Sequence, residues 1–298
     1  MNDLCSSQGP PNRALMNLFF LLGYTVATAT PFPQPPRERR STMLRSLRSL
    51  LLFSVFLGAV SLGAQPSQSV PTATEILARH EAAIGGKDVI GRVKSISMLT
   101  TTHMANNDLP GTVVLLDGIA YRTELNFNGA KMVQCYTATG GWMVNPMAGI
   151  IAPAPMPDDQ YQAGRSQIYV GGDLHDYAAP GNKLELLDHN FGTYTVKLTT
   201  GGNIESTFVI DASTYLIKSV TRRGRIQDQD VNIVTTLSDY RKTGIGLVIP
   251  YAITVDLGGQ LSLNITVDQV EVNKPVDPAI CDLPKTTPPP AAAAPLLN

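Results

Sequence analysis

The sequence predicts a mainly β (α+β) protein: one antiparallel, up-and-down sheet of about ten strands with a few short helices. Three observations carry this. Apolar residues recur every second position through the second half of the chain, as in Leu247, Ile249, Tyr251, Ile253, Val255, Leu257 and again in Leu261, Leu263, Ile265, Val267, which is the period of a half-buried strand. Glycine pairs and Asn-Gly or Asp-Gly steps separate these runs, and such steps tolerate the positive φ of tight hairpins. Charged residues make up only 16% of the chain while Thr, Val, Leu and Gly are plentiful, a balance that suits sheet better than helix.

Taken in order, Thr72-Ala-Thr-Glu75 reads as a capping box. Ile76, Leu77, His80, Ala83 and Ile84 then share one helix face, ended by Gly85-Gly86, with room for one more turn over 87–93. From Val93 the period becomes two. Val93 to Met104, Gly111 to Asp117, Ala120 to Phe127 and Lys131 to Thr137 read as strands, followed by Gly140-Gly141 and the single Trp, Trp142. The proline-rich run 146–157 is expected to be a loop with exposed apolar residues. Asp158-Asp159 caps a short helical run to about Val170. Strands follow at 183–188, 193–200, 204–211, 215–222 and 231–239, then the pair described first. No repeat of 20 to 50 residues appears, which excludes a propeller or solenoid.

The N-terminus is read as separate from this domain. Met43 opens a segment with Arg45 and Arg48, an apolar run from Leu50 to Leu62, and small residues Gly63-Ala64. That is the pattern of a secretory signal peptide (43–64), cut after Ala64 and followed by a linker at 65–72. The domain proper is expected over 73–284 and a disordered Pro/Ala tail over 285–298. A second apolar run, Ala14 to Ala27, lies in 1–42; we read that segment as a disordered, over-extended N-terminus, with a membrane anchor as the alternative. Removing residues 1–64 takes away six of 23 Lys/Arg and two of 24 Asp/Glu, leaving 17 against 22. A mildly acidic chain has no electrostatic hold on nucleic acid or on an anionic membrane. Export would place Cys135 and Cys281 in an oxidising compartment, where a disulfide is open to them; buried free thiols are the other reading.

No catalytic constellation emerges. His80-Glu81 begins like a zincin helix, but Ile84 stands where the second His is required. His103, His175 and His189 lack neighbours at metal-ligand spacing, and no Gly-x-Ser-x-Gly elbow occurs. The basic cluster Arg222-Arg223-Gly224-Arg225 reads as a solvated hairpin turn, with docking of an acidic partner or lipid phosphate as the alternative. The sequence thus predicts no cofactor, no metal site and no enzyme, although dispersed pairs such as Asp117 with Glu124 keep a hydrolase as a third reading.

About ten strands with an apolar face are matched by only two or three short helices. Such a sheet must close on itself, pack on another sheet or curve round helices; partial filling leaves an apolar cavity, and full packing leaves none. Several stretches bear on this choice. His80 to Ile96, Asp173 to Tyr177, Gly181 to Leu187, Val209 to Ile217, Asp239 to Pro250, and Val270 to Asn273 with Asp277 to Pro284 resemble the LolA/LolB outer-membrane lipoprotein-sorting superfamily. The resemblance implies a single strongly curved, incomplete antiparallel barrel with helices as plug and lid, an interior that accepts acyl chains, and 146–170 as a mobile lid. Cys281 stands where similar proteins carry a large apolar residue, which favours the core reading of that thiol.

The expectation is a monomeric periplasmic carrier or sensor that binds lipid or lipoprotein acyl chains. Its cavity would be lined by Tyr121, Leu125, Trp142, Tyr161, Ile168, Tyr194, Val196, Phe208, Leu247, Ile249, Tyr251, Ile253, Val255, Leu261, Leu263, Ile265 and Val267. The alternative is a cell-envelope interaction module that presents a sheet edge or the Arg222 to Arg225 turn to a protein partner.

Overall fold

The computed structural model describes residues 70–283, apart from 105–106, 191 and 227–228. The signal-peptide, N-terminal and tail expectations lie outside the described residues. Helix α1 (Ala73–Ala83) begins at a complete capping box: Thr72 Oγ1 accepts from Glu75 N, and the Glu75 carboxylate accepts from Thr72 N at 2.7 Å. A short α2 (Gly86–Ile90) follows.

The strands form one thirteen-stranded antiparallel sheet in the order β6-β5-β4-β3-β2-β1-β13-β12-β11-β10-β9-β8-β7. Their ranges are β1 Ser95–Met104, β2 Asn107–Leu116, β3 Ala120–Phe127, β4 Ala130–Thr137, β5 Gly141–Asn145 and β6 Ile150–Pro155. The second half comprises β7 Lys183–Asp188, β8 Thr193–Thr199, β9 Glu205–Asp211, β10 Ile217–Ile226, β11 Gln229–Lys242, β12 Val248–Leu257 and β13 Ser262–Val272. Every neighbour is consecutive in sequence except β1 with β13, which joins the two halves. The free edges, β6 and β7, are themselves consecutive; the chain between them carries helix α3 (Asp158–Gly164) and 3-10 turns at Arg165–Ile168 and Gly172–Leu174. A meander that would close by pairing β6 with β7 is thus left open, and the connection crosses the gap. This is the expected incomplete barrel, with three more strands than the sequence suggests.

Two differences from expectation have plain causes. The 146–157 run is not all loop: after a 3-10 turn at Pro146–Ala148, β6 pairs with β5 through Asn145↔Ile150, Met143↔Ala154 and Trp142↔Pro155. Its prolines are tolerated because β6 is an edge strand, where a missing N–H costs no ladder bond. The basic cluster is not a turn either, since β10 continues to Ile226 and Arg222 pairs with Ile233 in the ladder.

Turn chemistry follows the residues. Asn128 (φ 50°) and Gly129 (φ 84°) are both left-handed between β3 and β4, the type I′ arrangement whose twist matches a hairpin. Gly258 and Gly259 do the same between β12 and β13.

Side-chain alternation sends one set of residues to the concave face. Ile76 and Leu77 of α1 pack there against Val196, Leu198, Phe208 and Ile210, and each fully buried aliphatic contributes about 2 kcal/mol. The convex face of β3–β5 has its own small core, in which Leu116, Val133, Cys135 and Trp142 are covered by the C-terminal segment through Val276, Ile280 and Cys281.

His80, buried on α1, offers Nδ1 to Tyr215 O at 2.8 Å, and burial holds its pKa below 6.5. The folded protein therefore disfavours the imidazolium, so stability is greatest above about pH 6.5 and falls as pH drops below it. Thermal melts should show a smaller loss of Tm between pH 7.5 and 5.5 in His80→Gln than in the wild type; equal losses would deny His80 this role.

Candidate functional site: the lidded concave face

The expected lining residues fall into groups once register is known. Ile253, Val255, Leu261, Leu263, Ile265 and Leu125 cluster with Met104, Leu109, Met132 and Ile233 near the β1–β2, β3–β4 and β12–β13 hairpins. Val255 and Leu263 are buried, whereas Ile253, Ile265, Leu261 and Leu125 are only partly covered. Leu247, Ile249 and Tyr251 pack at the other end with Val93, Ile96, Leu115 and Val170. Val267 is buried opposite Thr100. Tyr161 and Ile168 belong to the crossing segment and meet Tyr121, Tyr136, Met143 and Met156.

Four residues do not fit the expected role. Tyr194, Val196 and Phe208 face inward, but α1 covers them, so they bind the plug. Trp142 points the other way. It pairs with Cys135, on the convex side of β4, and its Nε1 donates to Cys281 O at 2.6 Å under the C-terminal segment. Arg122 stacks over its ring, 5.5 Å from the centroid, and donates to Ile280 O at 2.7 Å. The lone Trp thus anchors the C-terminal strap.

The crossing segment lies close to the sheet. A Cβ at Gly164 would stand 2.5 Å from the Tyr136 ring, so only glycine lets α3 approach β4 this closely. Tyr161 Oη donates to Thr137 O at 2.9 Å, and Asp117 accepts from Val170 N at 3.0 Å. Glu124 instead pairs with Arg122 and Lys131 on the convex side, so the Asp117/Glu124 pairing is not assembled.

A polar network ties this lid to β9 and β10. The Asp173 carboxylate accepts from Ser166 Oγ at 2.5 Å and from Ser206 Oγ at 2.7 Å, and it pairs with the Arg222 guanidinium. Arg222 Nε also donates to Ser206 Oγ at 3.1 Å. The side chains of Arg222 and Asp173 are 16% and 6% exposed, a degree of burial at which loss of one partner strands the other's charge. Arg222→Met should therefore cost about 3 kcal/mol and raise amide exchange over 165–175. Unchanged exchange there would show that the pair does not hold the lid. Alternation could have placed Arg222 inside, since it shares a face with Val220 and hence with Phe208, but no sequence signal couples it to Asp173.

A cleft of about 470 Å³ lies beside the lid, lined by Tyr161, Arg165, Tyr169, His175 and Asn182 and reaching the β8–β9 turn. The Tyr169 and His175 rings stack with centroids 4.0 Å apart. Among the described residues no group of three or more His, Cys, Asp or Glu is placed to hold a metal ion.

No family model matches the chain, and no curated protein does. Among solved structures it is similar to a LolA superfamily protein from Nitrosomonas europaea (TM-score 0.48, 10% identity, covering 72% of this chain and 99% of that one). It is also similar to a putative outer membrane lipoprotein-sorting protein domain from Vibrio parahaemolyticus (TM-score 0.46, 10% identity, 69% and 95%). A third is a DUF1329 family protein from Desulfovibrio piger (TM-score 0.42, 8% identity, 70% and 97%). At these identities and scores the likeness speaks neither for ligand nor for activity. The assignment as an open, lidded antiparallel half-barrel stands on strand order and register.

Proposed function

We propose that the chain is an exported periplasmic carrier or sensor that holds the acyl chain of a lipid or lipoprotein on its concave face, by apolar burial with few polar contacts. The observation that carries this reading is the partly covered apolar surface of Ile253, Ile265, Leu261 and Leu125, continuous with a buried core, on the same face that the crossing segment covers at its other end. The lid is held to β9 and β10 by polar bonds and to β3–β5 by the apolar contacts of Tyr161 and Ile168, so in this reading it lifts from the polar side first. In this reading the chain acts as a monomer, is cut after Ala64 and folds over 73–284, and N-terminal mass spectrometry of the secreted protein tests the cut. Native mass spectrometry of the purified protein tests the ligand, and repeated recovery of protein indifferent to acyl lipids would overturn the reading.

A second reading, an envelope interaction module, draws on edge strand β6, where Ile151 is 81% exposed. An open edge can add a strand from a partner, and crosslinking from position 151 in the periplasm separates the two readings. Docking through the Arg222 to Arg225 cluster is not retained, because Arg222 is engaged by Asp173.

A further inference from the structure

Two carboxamides, one on the lid and one on the sheet, are buried with hydrogen-bonding capacity to spare. Gln160 of α3 has no exposed surface, and neither Oε1 nor Nε2 meets a partner among the described residues. Asn145, at the end of β5, is 1% exposed; its Oδ1 accepts from Ala148 N at 3.3 Å, while Nδ2 meets no partner among the described residues.

Both belong to the concave side. Gln160 shares its helix face with Ala163 and Gly164, and Gly164 abuts the Tyr136 ring. Asn145 alternates with Met143, which pairs with Gln134 on that face. Beside Asn145 is a cavity of about 20 Å³ lined also by Thr123 and Gln134, the room one polar atom needs.

A buried amide without partners destabilises the closed, empty protein, and a plain hydrocarbon chain gives it nothing. A carbonyl oxygen accepts from either –NH₂ group. Asn145 ends β5, whereas Gln160 belongs to the helix whose Tyr161 lies against Gly141 at its start; the two donors are therefore offered to two acceptors, and Gln160 travels with the lid as it lifts over a ligand. We infer that Asn145 and Gln160 select ligands whose apolar chains are attached through carbonyl groups, as acyl esters or amides, over hydrocarbons or ether-linked chains. This rests on the carrier reading and names the residues that would recognise the carbonyl of its acyl ligand.

The test is native mass spectrometry of the full chain, stripped of lipid, with equimolar dipalmitoylglycerol and its diether analogue dihexadecylglycerol. The wild type should favour the ester by about tenfold, as one or two neutral hydrogen bonds allow. Asn145→Leu should reduce the preference to about threefold or less without weakening diether binding. Because Asn145 also caps the Pro146–Ala148 turn, Gln160→Met serves as the second variant. It removes only unpartnered atoms, so it should fold with a raised Tm and show the same loss of preference. Equal wild-type binding of ester and diether overturns the inference and leaves the carrier reading intact, whereas binding of neither lipid overturns the carrier reading itself.

Discussion

Ile253→Asp and Ile265→Asp should each reduce acyl-chain retention by about a hundredfold or more while the protein stays folded. The two side chains are cross-strand partners of β12 and β13 and both are partly exposed. A carboxylate at either position keeps part of its water in the empty protein, so the fold bears less of the cost than the complex does. A ligand laid over that position must strip the carboxylate of water, and burying an unpaired charge costs several kcal/mol (about 3 or more). The variant also gives up apolar contact worth about 2 kcal/mol. Thr254→Asp is the control, since Thr254 lies on the opposite face and its Oγ1 donates to Asn264 at 2.8 Å. Binding measured with a fluorescent fatty acid should collapse for the two Ile variants and persist for the control. Retention in all three would mean that the ligand, if held, sits elsewhere.

Replacing both Cys135 and Cys281 by Ala should cost about 4 kcal/mol, the typical value for a bridge closing a long loop. The two residues form a disulfide with Cα atoms 5.5 Å apart across a separation of 146 residues, and Cys135 has no exposed surface. The bridge pins the C-terminal strap over Leu116, Val133 and Trp142. Loss of the bridge should therefore redden the Trp142 emission at denaturant concentrations that leave the wild type unchanged. Urea unfolding with and without reductant checks this, and coincident curves would show that the bridge contributes nothing.

Much of the sheet was legible because alternation and turn residues are local signals. The β12–β13 hairpin and the Asn128-Gly129 turn follow from them directly. Edge strand β6 was hidden by its prolines, whose tolerance depends on having no neighbour, a fact of topology. The basic run read as a turn because charge suggests solvent, yet Arg222 lies inside, satisfied by an aspartate 49 residues earlier in the chain. Trp142 was placed on the wrong face because an aromatic residue in a five-residue strand gives no alternation long enough to fix its side. The plug is part of the fold that the resemblance implies, but which strands α1 covers is not legible, and neither is the C-terminal strap, since each covers strands remote from it in sequence. Leu247 to Val267 forms one wall of the concavity, on which Ile253, Leu261 and Ile265 are only partly covered.

The most direct measurement is native mass spectrometry of the secreted protein, purified without detergent from the periplasm. The account predicts adducts of acyl-lipid mass in the wild type, lost in Ile253→Asp and Ile265→Asp and kept in Thr254→Asp. A wild-type protein that is repeatedly recovered without adducts, and takes none up when offered dipalmitoylglycerol, would contradict it.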